Sequence, residues 1–466
     1  MSGGEPPANS SARDASVGGA IRLSAEIVIR VSSIVATLWL TRSMGVATFG
    51  AFVLALSIGL MIAELADLGV NSVVVPLIVR SRKNVRTLFL MKAGLSVGVL
   101  ALGVALIPTA ARLSSAAPLV LSLCTLHFLA ASWIEMTGTA LRALGRRLDE
   151  AVLLLVFRFF LVGFIIVAPF GLTLEGAALS YALAVVPTLL LSGLLLLLRA
   201  RGSHDDAPGA SPRAILRQAA PMGVNSYLAI LSTRVELFLL QAFHGAQLVG
   251  LFGGATRIVE SLLTLPSAIA AGALPSVTRD VLKGTHGAAQ RMFGLVVWIG
   301  MPCAVGLALC AEDVLRILGP GFVEGAIALR ILSVALFLCF ANASLFHVLI
   351  AAGDTAMIPR LTAMRVGVAA VLGAGLIPFL GLPGASWSFT AAEAALFAAL
   401  VRRGRTHAPL DVARPLAFAL LACAPMALVL VFWPFSLVAS ILIGATLFSV
   451  SAALILRRGT EAAGLA

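Results

Sequence analysis

The chain has 466 residues, 60% of them hydrophobic and 12% charged, with a formal net charge of +12. Its mean hydropathy is +1.05. Soluble domains carry about twice that charged fraction, so the composition excludes a water-soluble globule and indicates a polytopic membrane protein.

A helix needs about 20 consecutive apolar residues to cross a bilayer. The sequence predicts fourteen such spans: 21–41, 48–75, 87–108, 117–138, 151–170, 174–198, 215–240, 246–274, 290–310, 325–350, 358–380, 383–401, 412–433 and 436–456. Strand-like alternation is absent, which argues against a β-barrel. Residues 1–19, rich in Gly, Pro, Ser and Ala, read as a disordered cytoplasmic tail. With that end cytoplasmic, the same side receives the basic clusters around 80–86, 142–147, 199–217 and 402–405. The opposite side receives only Arg42, Arg112 and Arg316. The asymmetry follows the positive-inside rule and places both termini in the cytoplasm. Topology and anionic lipid account for the net charge, so no nucleic-acid partner is inferred.

In the first span, Arg22, Glu26 and Arg30 lie four residues apart on one face. Arg30 falls near mid-membrane, where a charge normally faces a bundle interior or a water-filled cavity; a local Glu26–Arg30 pair is the plainer alternative. The second span carries Glu64 and Asp67, which suit a proton, a cation or an arginine partner. Lys92 lies near enough to the end of the third span to snorkel and is assigned no function. The fourth span holds Glu135 and a lone His127, read as a hydrogen-bonded core residue. Arg158 sits about two turns into the fifth span, with no acid within a helical turn. The sixth span, nearly all Leu, Val and Ala after Glu175, fits a lipid-facing helix.

Residues 201–213 read as a cytoplasmic linker. Beyond it come Arg234 and Glu236, then Arg257 and Glu260, whose spacing of three predicts a pair. Arg330, Asn342 and His347 follow in the tenth span, Arg365 in the eleventh and Glu393 in the twelfth. The last two spans have no charge in their cores and read as packing elements or a lipid-side groove. Cys124, Cys303, Cys310, Cys339 and Cys423 all lie in apolar runs without metal or disulfide spacing.

An internal repeat organises the chain. At an offset of 200, RSMGVATFGAF (42–52) lies over AFHGAQLVGLF (242–252), matching Gly45 with Gly245, Gly50 with Gly250 and Phe52 with Phe252. At an offset of 208, ALRALG (140–145) lies over VLIAAG (348–353), and Arg158 falls one residue from Arg365. The expected fold is all-α, with a six-helix lobe over 20–200, a second over 214–405 and a C-terminal helix pair with its tail over 406–466. Six helices per copy is an even number, so the lobes are expected to be related by an axis along the membrane normal, with a cavity between them.

There is no phosphate-cradling GxxxxGK[ST] loop, no paired metal ligands and no Ser/His/Asp arrangement in a loop. No cofactor is expected, and any energy input is expected from an ion or substrate gradient. Most intramembrane cations are arginines, whose planar fork suits phosphate and carboxylate. An anionic headgroup is one reading of them; a set of interhelical salt bridges is the other.

Two stretches, LTRSMGVATFGAFVLALS (40–57) and AELADLGVNSVVV (63–75), resemble the start of bacterial polysaccharide flippases of the Wzx type. The shared features are Gly45, Phe49 and Gly50 and the run Leu65 to Gly69. VGLFGGATRIVESLLTLPSAIAAGALPSVTR (249–279), with Pro266 and Pro275, and HVLIAAGDT (347–355) are similar to later parts of that family. The resemblance implies a member of the multidrug/oligosaccharidyl-lipid/polysaccharide exporter superfamily that moves an undecaprenyl-diphosphate-linked oligosaccharide between leaflets of the inner membrane. It implies a cationic, substrate-binding cavity, carried over by position and type to Arg30, Arg158, Arg234, Arg330 and Arg365. Glu64, Asp67, Glu260 and Glu393 are the ion-coupling candidates. Membrane lipids, a polysaccharide polymerase and a chain-length regulator are candidate partners. The peptidoglycan-precursor branch is less similar in its first helix and loops, and drug/sodium antiporters usually lack the final helix pair. A cation-coupled drug exporter is the alternative function; a polytopic glycosyltransferase or polymerase would need a larger outer loop than 311–324.

Overall fold

The computed structural model describes residues 28–29, 31–114, 117–167, 169–199, 209–432 and 436–462. All regular structure among them is helical. The chain divides into two compact units, one taking residues up to Met44 and Ala51–Ile230, the other taking Gly45–Gly50 and Leu231 onward.

In the first, a helical stretch at 31–44 leads to α1 (Val46–Glu64), whose opening turn is counted with the second unit. Then come α2 (Val70–Arg80), α3 (Asn84–Ser114), α4 (Pro118–Ala143), α5 (Arg147–Val167), α6 (Leu174–Ala184), α7 (Val186–Arg199) and α8 (Pro212–Ser232), whose last two residues, Leu231 and Ser232, are counted with the second unit. The second contains α9 (Val235–His244), α10 (Ala246–Leu262), α11 (Thr264–Leu282), α12 (Gly287–Leu309), α13 (Ala311–Leu318), a 3-10 turn (Pro320–Gly325), α14 (Ala326–Ala351), α15 (Met357–Leu380), α16 (Leu382–Gly404), α17 (Ala413–Phe432) and α18 (Leu437–Ala462).

Among the described residues, twelve helical segments are long and apolar enough to cross a membrane, and the bent pair α8–α9 makes a thirteenth. These match thirteen of the predicted spans. The remaining one, 21–41, lies partly outside the described residues, Arg22, Glu26 and Arg30 among them.

Several spans that read as continuous are interrupted. The second breaks between α1 and α2, where Leu68 (φ 43°) and Gly69 (φ 79°) are both left-handed. A right-handed helix cannot run through such a pair, and for leucine the conformation is itself unfavourable. Gly69 is needed there for a second reason: a Cβ on it would strike the backbone of Ala219 and Gly223 in α8. The seventh span bends by 43° between α8 and α9, and the eighth divides into α10 and α11 around Leu263. The stretch expected as an outer loop, 311–324, instead folds as α13 and the 3-10 turn. Ala311, Leu315 and Leu318 form the buried side of α13, while Glu312, Asp313 and Arg316 are turned outward.

Several glycines at corresponding positions of the expected repeat share a backbone conformation. Gly45 and Gly245, Gly145 and Gly353, and Gly171 and Gly381 all have positive φ, so the chain turns at matching points in both copies. Within the second unit, the opening turn of α1 packs closely on α10. A Cβ on Gly50 would lie 2.6 Å from Gly250 N and would strike Ala246 O; one on Gly250 would lie 2.9 Å from the Val46 carbonyl carbon. The starts of α1 and α10 therefore cross backbone to backbone in a reciprocal arrangement. The seam is closed by Phe322, packed edge-on against Phe49 at 5.6 Å and over Gly254.

The first unit's core joins α2, α3, α4 and α8 through Val73, Leu77, Leu88, Met136 and Ile215. The second's joins α11, α12, α14, α15, α16 and α17 through Val277, Phe293, Leu345, Leu361, Leu400 and Cys423. Asn84 fixes one connection, donating to Leu77 O at 2.7 Å and accepting from Ala210 N at 2.7 Å. Helix α8 then starts at Pro212, where a missing N–H is tolerated.

Candidate functional site

Charges buried among apolar helices have few outlets, and here they gather at the helix breaks. In the first unit, Asp67 lies in the broken turn after α1. Its Oδ2 accepts from Asn71 N at 3.3 Å, and its Oδ1 pairs with Lys92 Nζ at 2.5 Å. Lys92, on α3, also donates to Ser132 Oγ on α4 at 2.6 Å and is fully buried. The lysine expected to snorkel is therefore an interior ion-pair partner. The ion pair satisfies both groups inside the protein, where an unpaired charge would be costly. Glu64 and Glu135 lie within the field of this pair; Glu64 is half-buried and Glu135 exposed.

His127 is a core residue, as its sequence setting suggests. It is buried, its Nδ1 bonds Tyr181 O at 2.7 Å, and the rings of Phe128, Phe157 and Tyr181 surround it. Arg158 follows on α5, half-buried, its guanidinium 5.5 Å from the Phe157 ring centroid.

In the second unit, the bend between α8 and α9 carries Arg234. Arg234 Nη1 reaches Glu260 Oε1 at 3.3 Å, and Arg257 Nη1 reaches Glu260 Oε2 at 3.3 Å. The pair predicted from the spacing of Arg257 and Glu260 is thus joined by a third residue. Two guanidiniums on one carboxylate leave an excess of one positive charge. Side-chain exposures of 35% for Arg257 and 32% for Glu260 leave this cluster reachable, and Arg234 Nε is buried without a hydrogen-bond partner among the described residues.

Arg365 is placed differently. It is 3% exposed, its Nε donates to Glu393 Oε1 at 2.6 Å, and its Nη1 donates to Ser232 O at the α8–α9 bend. The guanidinium lies 4.9 Å from the Phe389 ring centroid. Asn342 Nδ2 donates to Glu393 Oε2 at 2.8 Å. This is an interior network joining α8, α14, α15 and α16, and it gives Arg365 an interhelical acid partner that local sequence spacing does not reveal. Arg330 is brought to neither cluster. It pairs with Glu312 at 2.7 Å, both side chains about half exposed, against α13.

The expected site residues thus fall into separate groups: Asp67 with Lys92, Arg234 with Glu260, Arg365 with Glu393, and Arg330 with Glu312. Lys92, Ser132, Arg257, Ser232 and Glu312 complete these groups without having been singled out for the site. The intramembrane acids Glu64 and Asp67 were the available signal for Lys92; nothing in the sequence marks the Ser232 carbonyl, whose exposure to Arg365 depends on the bend. No group of three or more His, Cys, Asp or Glu suited to a metal occurs among the described residues.

Outside the spans, Asp354 follows the left-handed Gly353. It accepts from Arg403 Nε at 2.7 Å and from His407 Nε2 at 3.0 Å, tying the α14–α15 turn to the end of α16. These two hydrogen bonds hold its carboxyl below the usual carboxylate range.

Residues 17–279 match the model of a family described as polysaccharide biosynthesis protein. Among solved structures, the chain is similar to a lipid II flippase, MurJ, in an inward closed conformation. The TM-score is 0.76 at 12% identity, with 93% of this chain and 98% of that one covered. It is also similar to an inward-facing multidrug resistance MATE family transporter of the MOP superfamily (TM-score 0.63, 18% identity, 83% and 98% covered). A third similarity is to the MATE multidrug transporter DinF-BH (TM-score 0.57, 17% identity, 83% and 94% covered). At these identities the likeness establishes the fold, an all-helical multi-pass membrane architecture. No curated protein matches the sequence.

Proposed function

The chain belongs to the polysaccharide biosynthesis protein family, and we propose that it flips a polyprenyl-diphosphate-linked oligosaccharide across the bacterial inner membrane by alternating access. The observation that carries this reading is the surplus of positive charge where Arg234, at the bend between α8 and α9, meets Arg257 and Glu260 of α10, a cluster that is half open. A diphosphate is small, multiply anionic and rich in acceptors, and a guanidinium fork matches it with paired charge-assisted hydrogen bonds. The contacts to Glu260 are long at 3.3 Å, so phosphate oxygens can displace them while the carboxylate keeps both arginines oriented.

Arg158, half-buried on the first unit, and Arg30 are kept as further substrate contacts. Arg330, engaged by Glu312, and Arg365, engaged by Glu393, act through structure in this reading. Of the ion-coupling candidates, Glu64 is favoured, since Asp67, Glu260 and Glu393 each hold a cation. The lobes are taken as 20–200 and 214–405, with both termini cytoplasmic. A polymerase and a chain-length regulator are the natural neighbours of such a flippase, and no catalytic step is assigned to the chain.

The MATE-like fold supports a second reading, a cation-coupled exporter of small molecules. The observation in its favour is the exposed side of Glu64 and Glu135 beside Asp67, which suits a cationic cargo. Ligand-induced stabilisation of the purified chain separates the two. The flippase reading expects a rise in melting temperature with undecaprenyl diphosphate, a smaller one with the monophosphate, and loss of the difference in Arg234→Gln/Arg257→Gln. Stabilisation by cationic dyes alone would reverse the choice.

A further inference from the structure

Glu236 lies in the first turn of α9, two residues past Arg234. It is 0% exposed, and neither of its carboxylate oxygens has a hydrogen-bond partner among the described residues. The charges acting on it from neighbouring helices are Arg365 on α15 and Glu393 on α16, and the Cys339 thiol of α14 lies against Glu393. The other charges of this region, Arg234 on its own segment and Arg257 and Glu260 on α10, are engaged with one another. One guanidinium therefore serves two interior carboxylates. It is committed to Glu393 through Nε and to Ser232 O through Nη1, while its Nη2 is buried with no partner among the described residues. An ionised carboxylate without water, hydrogen bond or ion pair is heavily penalised, whereas the protonated acid is tolerated.

We propose that Glu236 is a proton-binding site, and that its proton decides which carboxylate holds Arg365. With the proton present, the guanidinium belongs to Glu393, as in this structure. When the proton leaves the carboxyl oxygen for water, the new anion recruits the free Nη2, and the hold on Glu393 and on Ser232 O slackens. No other bond changes. Because Ser232 O stands at the α8–α9 bend, the proton acts on the connection that fixes the bent helix to α15. The inference concerns the second unit alone and does not depend on which cargo the chain moves.

The test is infrared difference spectroscopy of the full-length chain in lipid, stepped in pH, with the proton as probe. In a Glu64→Gln/Glu135→Gln background, which removes the other intramembrane acids that can hold a proton, the chain is expected to show the carbonyl stretch of one protonated interior carboxyl at neutral pH, lost on alkalinisation; the variants below are made in that background. Glu236→Gln, which preserves shape, removes the band. Glu393→Gln also removes it, because the released guanidinium turns to Glu236 and displaces the proton. Monodisperse elution verifies folding of each variant; if Glu393→Gln does not fold, Glu393→Asp, which withdraws the carboxylate by one methylene, serves the same purpose. No such band in that background, or a band that survives Glu236→Gln, overturns the proton site. A band that survives in the folded Glu393 variant overturns the sharing of Arg365.

Discussion

Lys92→Met removes the charge of a residue with no exposed surface while keeping most of its stem volume. Two short bonds go with it, 2.5 Å to Asp67 and 2.6 Å to Ser132. Among the described residues, Asp67, its side chain 8% exposed, then retains only the 3.3 Å contact from Asn71 N. Stranding one member of a buried pair costs about 3–5 kcal/mol, whereas replacing both by uncharged groups of similar volume is close to neutral. The single variant is therefore expected to lose about 3–5 kcal/mol. Asp67→Asn/Lys92→Met should regain much of that, since an asparagine keeps an acceptor for Asn71 N and leaves no charge behind. A coupling of about 2–3 kcal/mol should emerge from the cycle. Equilibrium unfolding in mixed micelles of the four proteins measures it. A loss below about 1 kcal/mol for Lys92→Met, the scale of an exposed pair, would refute the reasoning, as would a double variant no more stable than the single.

The reciprocal glycine crossing gives a second prediction. Gly50→Ala and Gly250→Ala place a methyl against backbone that cannot rotate away, and each should destabilise by about 1–3 kcal/mol. Gly94→Ala, on an open face of α3 with nothing within 4 Å, should instead stabilise by about 0.5–1 kcal/mol; melting temperatures distinguish the three. Arg330→Gln breaks a half-exposed pair with Glu312 and should cost no more than about 1 kcal/mol, with transport retained. At Asp354 the folded-state carboxyl is held low by Arg403 and His407. Its contribution is therefore present above the ordinary carboxylate range and is lost as pH falls through the depressed value. Hydrogen exchange in the α14–α15 turn should stay slow through mildly acidic pH, quicken only below that range, and be fast at all pH in Asp354→Asn.

The fold was largely legible because crossing a bilayer demands long apolar runs, and these survive in the sequence whatever the tertiary packing. Thirteen spans are matched on that ground alone. The breaks were not legible. Nothing in ELADLG announces that Leu68 adopts a left-handed conformation, since the cause is the close packing of Gly69 on Ala219 and Gly223 far along the chain. Helix α13 reads as a loop in the sequence because its buried face is only three residues, Ala311, Leu315 and Leu318. For the candidate site, sequence spacing found the local pair Arg257–Glu260 but could not see partners on other helices. Arg365 therefore looked unmatched although Glu393 lies 2.6 Å away, and Lys92 looked free to snorkel although Asp67 holds it. The depth of a charge can be counted along a helix; the direction it faces is set by packing between helices.

The central claim is that Arg234, at the α8–α9 bend, and Arg257 of α10 together bind the diphosphate of a lipid carried across the bilayer. Leaflet transfer of a fluorescent polyprenyl-diphosphate oligosaccharide by the reconstituted chain tests it most directly. Wild type should move the lipid to the far leaflet, while folded Arg234→Gln/Arg257→Gln should be strongly impaired. Transfer undiminished in that variant would contradict the assigned site, and no transfer by folded wild type across several glycans would contradict the flippase reading itself.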